Sequence, residues 1–139
     1  MLKKVIKFTD INGEAAEETA YFNLTNIELL RLSAKYGIKG DLAKGLKATI
    51  DAEDFDAMMQ AIEGIILTAY GQRGADGNNG FVKNDKLRQT FSNSIPYSDF
   101  VIKLIQDPAQ MDEFVTALTS GIKPLQPNAA MSAVQSPNA

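Results

Sequence analysis

Residues 69–100 read AYGQRGADGNNGFVKNDKLRQTFSNSIPYSDF. An apolar helix end at Ala69 gives way to Gly71–Gly80, a run rich in Gly, Asp and Asn that bends easily, bonds locally and packs poorly. This loop is expected to be the most mobile internal segment. A charged helix should follow from about Asn84 to Phe91, then an aromatic-led one from about Tyr97 to Gln106 with Phe100, Val101, Leu104 and Ile105 on its apolar side.

Upstream of the quoted stretch, Asp51 precedes the clearest helical pattern in the chain. Phe55, Met58, Met59, Ile62, Ile65, Ile66 and Ala69 recur there at three- and four-residue spacing, which sets a stripe against a core. Thr25-Asn26-Ile27-Glu28 has the form of a capping box opening a helix to about Lys35, and Asp41–Ala48 reads as a short helix weakened by Gly45. At the N-terminus, Leu2, Lys4, Ile6 and Phe8 alternate with Lys3, Val5, Lys7 and Thr9. Asn12-Gly13 supplies the positive backbone angles of a tight turn, so a second strand from about Glu14 to Phe22 should return antiparallel.

Downstream, Asp107-Pro108 is a helix start in which Asp caps and Pro occupies a position whose amide needs no partner. Met111, Phe114, Val115 and Leu118 form its stripe, and Gly121 is the expected stop. Beyond Lys123, three prolines among Ala, Asn, Gln and Ser leave too little apolar surface to fold. The expected class is α+β, mostly α: an N-terminal β-hairpin, a compact bundle of about five or six helices, and a disordered C-terminal tail. One domain should occupy residues 1–122 and the low-complexity tail 123–139.

Composition narrows the function. Hydrophobic residues make up 45% of the 139, sufficient for one packed core, and the formal charge is −3. A field of that sign does not favour phosphate backbones or anionic membranes, so neither nucleic acid nor membrane is expected as a partner. Zero cysteine excludes disulfides, thiolate nucleophiles and cysteine zinc sites, while zero histidine removes the usual general base and the commonest metal ligand. Charge returns at Lys7 before an apolar run of secretory length forms, and no run approaches the ~20 residues that span a bilayer.

Each remaining cluster has a structural reading that outweighs a chemical one. Asp51, Glu53, Asp54 and Asp56 lack calcium-loop spacing and suit the positive end of a helix dipole. Asp76, Asn78 and Asn79 lack the rest of a calcium-binding loop. Gly71, Gly74, Gly77 and Gly80 fit neither phosphate-binding fingerprint, because no strand precedes them and no Lys-Ser/Thr pair follows. Lys83, Lys86 and Arg88, interrupted by Asp85, read as a solvated helix face, with partner docking as the alternative. The expectation is therefore a protein with no catalytic, cofactor or metal site and no enzymatic activity.

One further pattern is specific. Tyr21-Phe22-Asn23-Leu24-Thr25 with Glu28-Leu29, then Ala69-Tyr70-Gly71, Phe81-Val82-Lys83-Asn84-Asp85, Leu87-Arg88, Phe91-Ser92, Tyr97-Ser98-Asp99 and Phe114, resembles the tail assembly chaperones of long-tailed, siphovirus-like bacteriophages. The resemblance runs from about Asp10 to Ile122. It implies an ATP-independent chaperone of the host bacterial cytoplasm that binds the tape measure protein and keeps it soluble while the tail tube polymerises. The tail tube protein and a frameshifted longer form of the chain are further partners of this kind.

Such a client exposes long apolar stripes and needs an adaptable apolar groove rather than a catalytic centre. Met58, Met59, Tyr97 and Phe100 are the candidate client-binding residues, methionine because its shape adapts. For the two methionines, packing in the core is the competing assignment. The alternative function is a structural tail-associated or adaptor protein retained in the virion.

Overall fold

The hairpin is built from β1 (Leu2–Thr9) and β2 (Ala15–Phe22), paired in unbroken antiparallel register from Leu2 opposite Phe22 to Thr9 opposite Ala15. The computed structural model describes residues 1–36, Gly45, 54–73 and 80–120. The hairpin's connection is wider than a two-residue turn. The Asp10 carboxylate accepts from the amides of Asn12 and Glu14, both at 2.9 Å, and Gly13 alone takes a positive φ, +80°.

Five helices follow among the described residues: α1 (Asn26–Lys35), α2 (Phe55–Ala69), α3 (Asp85–Ser92), α4 (Ile95–Gln106) and α5 (Pro108–Thr119). Each begins on a side chain that accepts from an otherwise open amide of the first turn. Thr25 forms the full capping box with Glu28, and Asp54, Asn84, Ser94 and Asp107 cap the other four. Asp54 and Asp56 thus serve a helix start, while Asp51 and Glu53 lie outside the described residues, and of the short helix expected at Asp41–Ala48 only Gly45, which is helical, lies within them. The Asp76 cluster, the Gly121 stop and the tail also lie outside them.

The reading of Gly71–Gly80 as one loop requires correction. Tyr70–Arg73 forms β3 and Phe81–Val82 forms β4, which extend the hairpin to a four-stranded sheet in the order β1-β2-β3-β4. Both added pairings are antiparallel, with Phe22 opposite Tyr70 and Gln72 opposite Val82. Gly71 allows this closure. A Cβ there would lie 2.6 Å from the Val82 carbonyl and 2.7 Å from the Phe81 ring, distances that permit no side chain.

Phe22, 0% exposed, is the centre of the core. Its ring lies 6.0 Å from Tyr70 on β3, 6.2 Å from Phe91 on α3, 5.7 Å from Phe100 on α4 and 5.3 Å from Phe114 on α5. Tyr70 and Phe91 stack beside it with centroids 3.9 Å apart. From the bundle side, Ile62, Ile65, Ile66 and Ala69 of α2 complete a continuous apolar interior.

Lys86 is exposed as a solvated face would have it, but Lys83 and Arg88 have a role that a solvated face does not describe. The last turn of α2 contains no cation of its own, and its carbonyls are satisfied from elsewhere. Ile66 O accepts from the Tyr70 amide, Leu67 O from Arg88 Nε at 3.1 Å, Thr68 O from Lys83 Nζ at 3.1 Å and Ala69 O from the Asn23 amide at 2.9 Å. Two cations distant in sequence therefore neutralise the negative end of the α2 dipole. Lys83 Nζ also donates to Asn23 O and to Glu28 Oε1, which ties β4 to the start of α1. Burial acts to raise the Glu28 pKa, but Lys83 and the amide and hydroxyl of Thr25 outweigh it and hold the carboxyl below its ordinary 4.5.

Three variants separate these contributions. Phe22→Ala should lower unfolding free energy by about 3–5 kcal/mol, because four rings lose a common neighbour. Phe55→Ala, at a position 61% exposed, should stay within about 0.5 kcal/mol; denaturant titration compares the two. A carboxyl with a lowered folded pKa stabilises above its unfolded value and loses that contribution as pH falls through the folded one. Glu28→Gln should therefore cost about 1 kcal/mol at neutral pH, allowing for solvent screening. The gap from the parent chain should close below pH 4.5, as read from melting curves across an acid series.

Candidate partner-docking surface

Three of the four residues expected to touch a client are part of the interior. Met58, Tyr97 and Phe100 are buried, whereas Met59 is half-buried and packs on the edge of the core. The Tyr97 hydroxyl donates to Glu63 Oε1 at 2.6 Å. Burial, then the bond and charge of Glu63, push its pKa upward, so it remains a neutral donor joining α4 to α2. Phe100 stands 5.2 Å from Phe114 as well as against Phe22. The structure brings Tyr97 and Phe100 together around the aromatic core, while Met58 and Met59 sit on α2.

A surface that sequence reasoning did not identify runs along β1. Lys4, Val5, Ile6 and Lys7 all line one groove of about 570 Å³. Alternate residues of a strand point to opposite faces, so four consecutive ones can border the same space only along the strand's edge. β1 is the terminal strand of the sheet, and no strand covers its outer edge among the described residues. The opposite wall comes from α4 and α5, with Asp99, Ile102 and Lys103 on the first and Gln110 and Glu113 on the second.

The groove combines apolar and charged chemistry. Val5 is 50% exposed on the strand and Ile102 48% exposed on the helix, while Phe100 and Phe114 form the floor through which the groove meets the core. The alternation of Lys3, Val5 and Lys7 with Leu2, Lys4, Ile6 and Phe8 was visible in the sequence as the two faces of a strand. That β1 would be an uncovered edge beside α4 depends on strand order and helix packing, which the alternation does not encode.

Among the described residues, no three acidic side chains gather closely enough to hold a metal ion. No helix there is long and apolar enough to cross a membrane. The arrangement offers an open strand edge, two exposed aliphatic side chains and a border of lysines, which is the chemistry of docking.

Comparison with known proteins gives the surface a context. A family model described as phage tail assembly chaperone matches residues 1–123, nearly the whole chain. No curated protein and no solved structure matches it. The match spans the hairpin, the sheet closure at Gly71, the Lys83–Glu28 contact and all five helices. With that extent matched, the chain belongs to the phage tail assembly chaperone family.

Proposed function

We propose that the protein binds the phage tape measure protein in the host cytoplasm and keeps it soluble, without ATP, while the tail tube polymerises around it. The family membership carries this reading. It is supported by the groove along β1, where an open edge and exposed Val5 and Ile102 offer contacts to an apolar client. Gly71, within β3, has a structural role in closing the sheet.

Met58, Met59, Tyr97 and Phe100 remain the side chains proposed for client contact, and their burial dictates how they act. Met59 is half-buried and follows the exposed Phe55 by one helical turn, so the two form a patch accessible without rearrangement. Met58, Tyr97 and Phe100 would meet a client only as the core opens, a coupling of binding to local unfolding. A variant at any of these three must keep the parent melting curve before a loss of binding is informative.

The test uses purified components. Tape measure protein diluted from denaturant should stay in the supernatant in proportion to added chaperone, with no nucleotide present, and the two should co-elute on size exclusion. Aggregation unchanged by the chaperone, together with stoichiometric recovery of the chain in washed virions by mass spectrometry, would reject the reading in favour of a structural tail component.

A further inference from the structure

We propose that the open edge of β1 takes up an extended segment of a client tail protein as an added strand, with acidic residues against Lys3 and Lys7 and an apolar one against Val5. This names the mode by which the proposed chaperone would hold its client, and it rests on that reading.

The geometry of the hairpin decides which backbone groups are available. Asp10 N–H donates to Glu14 O at 2.8 Å across the end of the hairpin, in line with the register of the strands. In an antiparallel ladder, residues that exchange bonds with the neighbour alternate with residues whose N–H and C=O point away from it. Counting back from Asp10, the even-numbered residues of β1 bond to β2, and Lys3, Val5 and Lys7 turn theirs to the open edge. The far side of β2 agrees, because Asn23 N–H donates to Ala69 O, which turns the odd-numbered residues of β2 towards β3.

The same three residues hold their side chains on the outer face of the sheet, where all are exposed. An added strand thus meets the row Lys-x-Val-x-Lys, and directly opposed residues in such a pair lie about 4.5–5.5 Å apart at Cβ. Three of the chain's 14 cations stand on this one strand, although the chain as a whole is acidic. Acidic residues two positions either side of an apolar one complement the row. On the other face the segment would meet Lys4 and Lys103 together with Asp99 and Glu113, a mixed wall with no preference of sign, so the outer row sets the selectivity.

A second copy of β1 matches poorly. Antiparallel pairing about Val5 sets Lys3 opposite Lys7 twice, and pairing about Ile6 sets lysines opposite Val5 and Phe8. Lysines on an exposed edge repel strands of their own kind, which leaves the edge free for an acidic one.

Amide hydrogen exchange on the full chain tests this. The probe is a blocked heptapeptide of threonine with glutamate at its second and sixth positions and valine at its fourth; the control carries lysine in place of glutamate. The glutamate peptide should slow exchange at Val5 and Lys7 by about tenfold at saturation, and added salt should reverse the effect. Val5→Pro removes one outward N–H and no bond to β2, so it should keep the melting curve and lose the protection, whereas Val5→Thr should keep both. If Val5→Pro does not fold, Lys3→Glu with Lys7→Glu should transfer the preference to the lysine peptide. Equal protection by both peptides, or protection centred elsewhere, overturns the proposal. So does protection that rises with the chain's own concentration without peptide, which would assign the edge to a second copy. Full tape measure solubilisation by folded Val5→Pro would exclude the edge as client contact while the chaperone function stands. Failure of the parent chain to solubilise the client would reject that function, whatever the peptides do.

Discussion

Four of the elements after the hairpin, β3, α3, α4 and α5, meet on one phenylalanine. Phe22 ends β2 facing inwards, and β3, α3, α4 and α5 each bring one ring to it. Packing of this kind is geometrically demanding, because aromatic pairs favour offset or edge-to-face arrangements and a shared ring restricts all its neighbours at once. The stack of Tyr70 on Phe91 then fixes α3 against β3, and Tyr97 against Phe91 turns α4 back over it. The short sheet is stable because its inner face is covered by this cluster. A hairpin alone has no such cover.

Around that centre the chain resolves a difficulty posed by α2. An apolar helix ending inside a fold leaves carbonyls that water cannot easily reach, and α2 has no cation of its own in its last turn. Lys83 and Arg88 approach from beyond β4 and satisfy two of those carbonyls. Because Lys83 also holds Glu28, the ammonium links the end of one helix to the beginning of another through the same atom. The motif around Phe81–Arg88 is thus a piece of architecture, in which Lys83 and Arg88 serve a helix terminus.

Phe22, Tyr70, Phe91, Tyr97, Phe100 and Phe114 are taken up by the core, and the groove proposed for recognition runs along the β1 edge and the helices beside it. A chaperone that must release its client benefits from contacts that are individually weak and sequence-tolerant, and backbone pairing along an edge has that character. In the proposed mode, the lysines on β1 would make such an edge selective at little cost, since exposed charges discourage association with like strands while remaining solvated. On α2, Phe55 is exposed and Met59 half-buried one turn on, the second place proposed for client contact.

Local signals in the sequence determined the strands of the hairpin, the capping box at Thr25, the Asp107-Pro108 start and the apolar stripes of α2, α4 and α5, because each depends on neighbours a few residues apart. The resemblance carried the family. Tertiary structure alone decided that Tyr70–Arg73 is a strand, since four residues containing a glycine acquire that state only by pairing with β2 and β4. It also decided that Lys83 and Arg88 face α2 rather than solvent, and that Tyr97 and Phe100 are core. A stripe of apolar residues shows that a helix has a face to cover, but not which element covers it. The open edge of β1 was hidden for the same reason: alternation reveals the two faces of a strand, while its edges belong to the order of the sheet, which only the folded chain establishes.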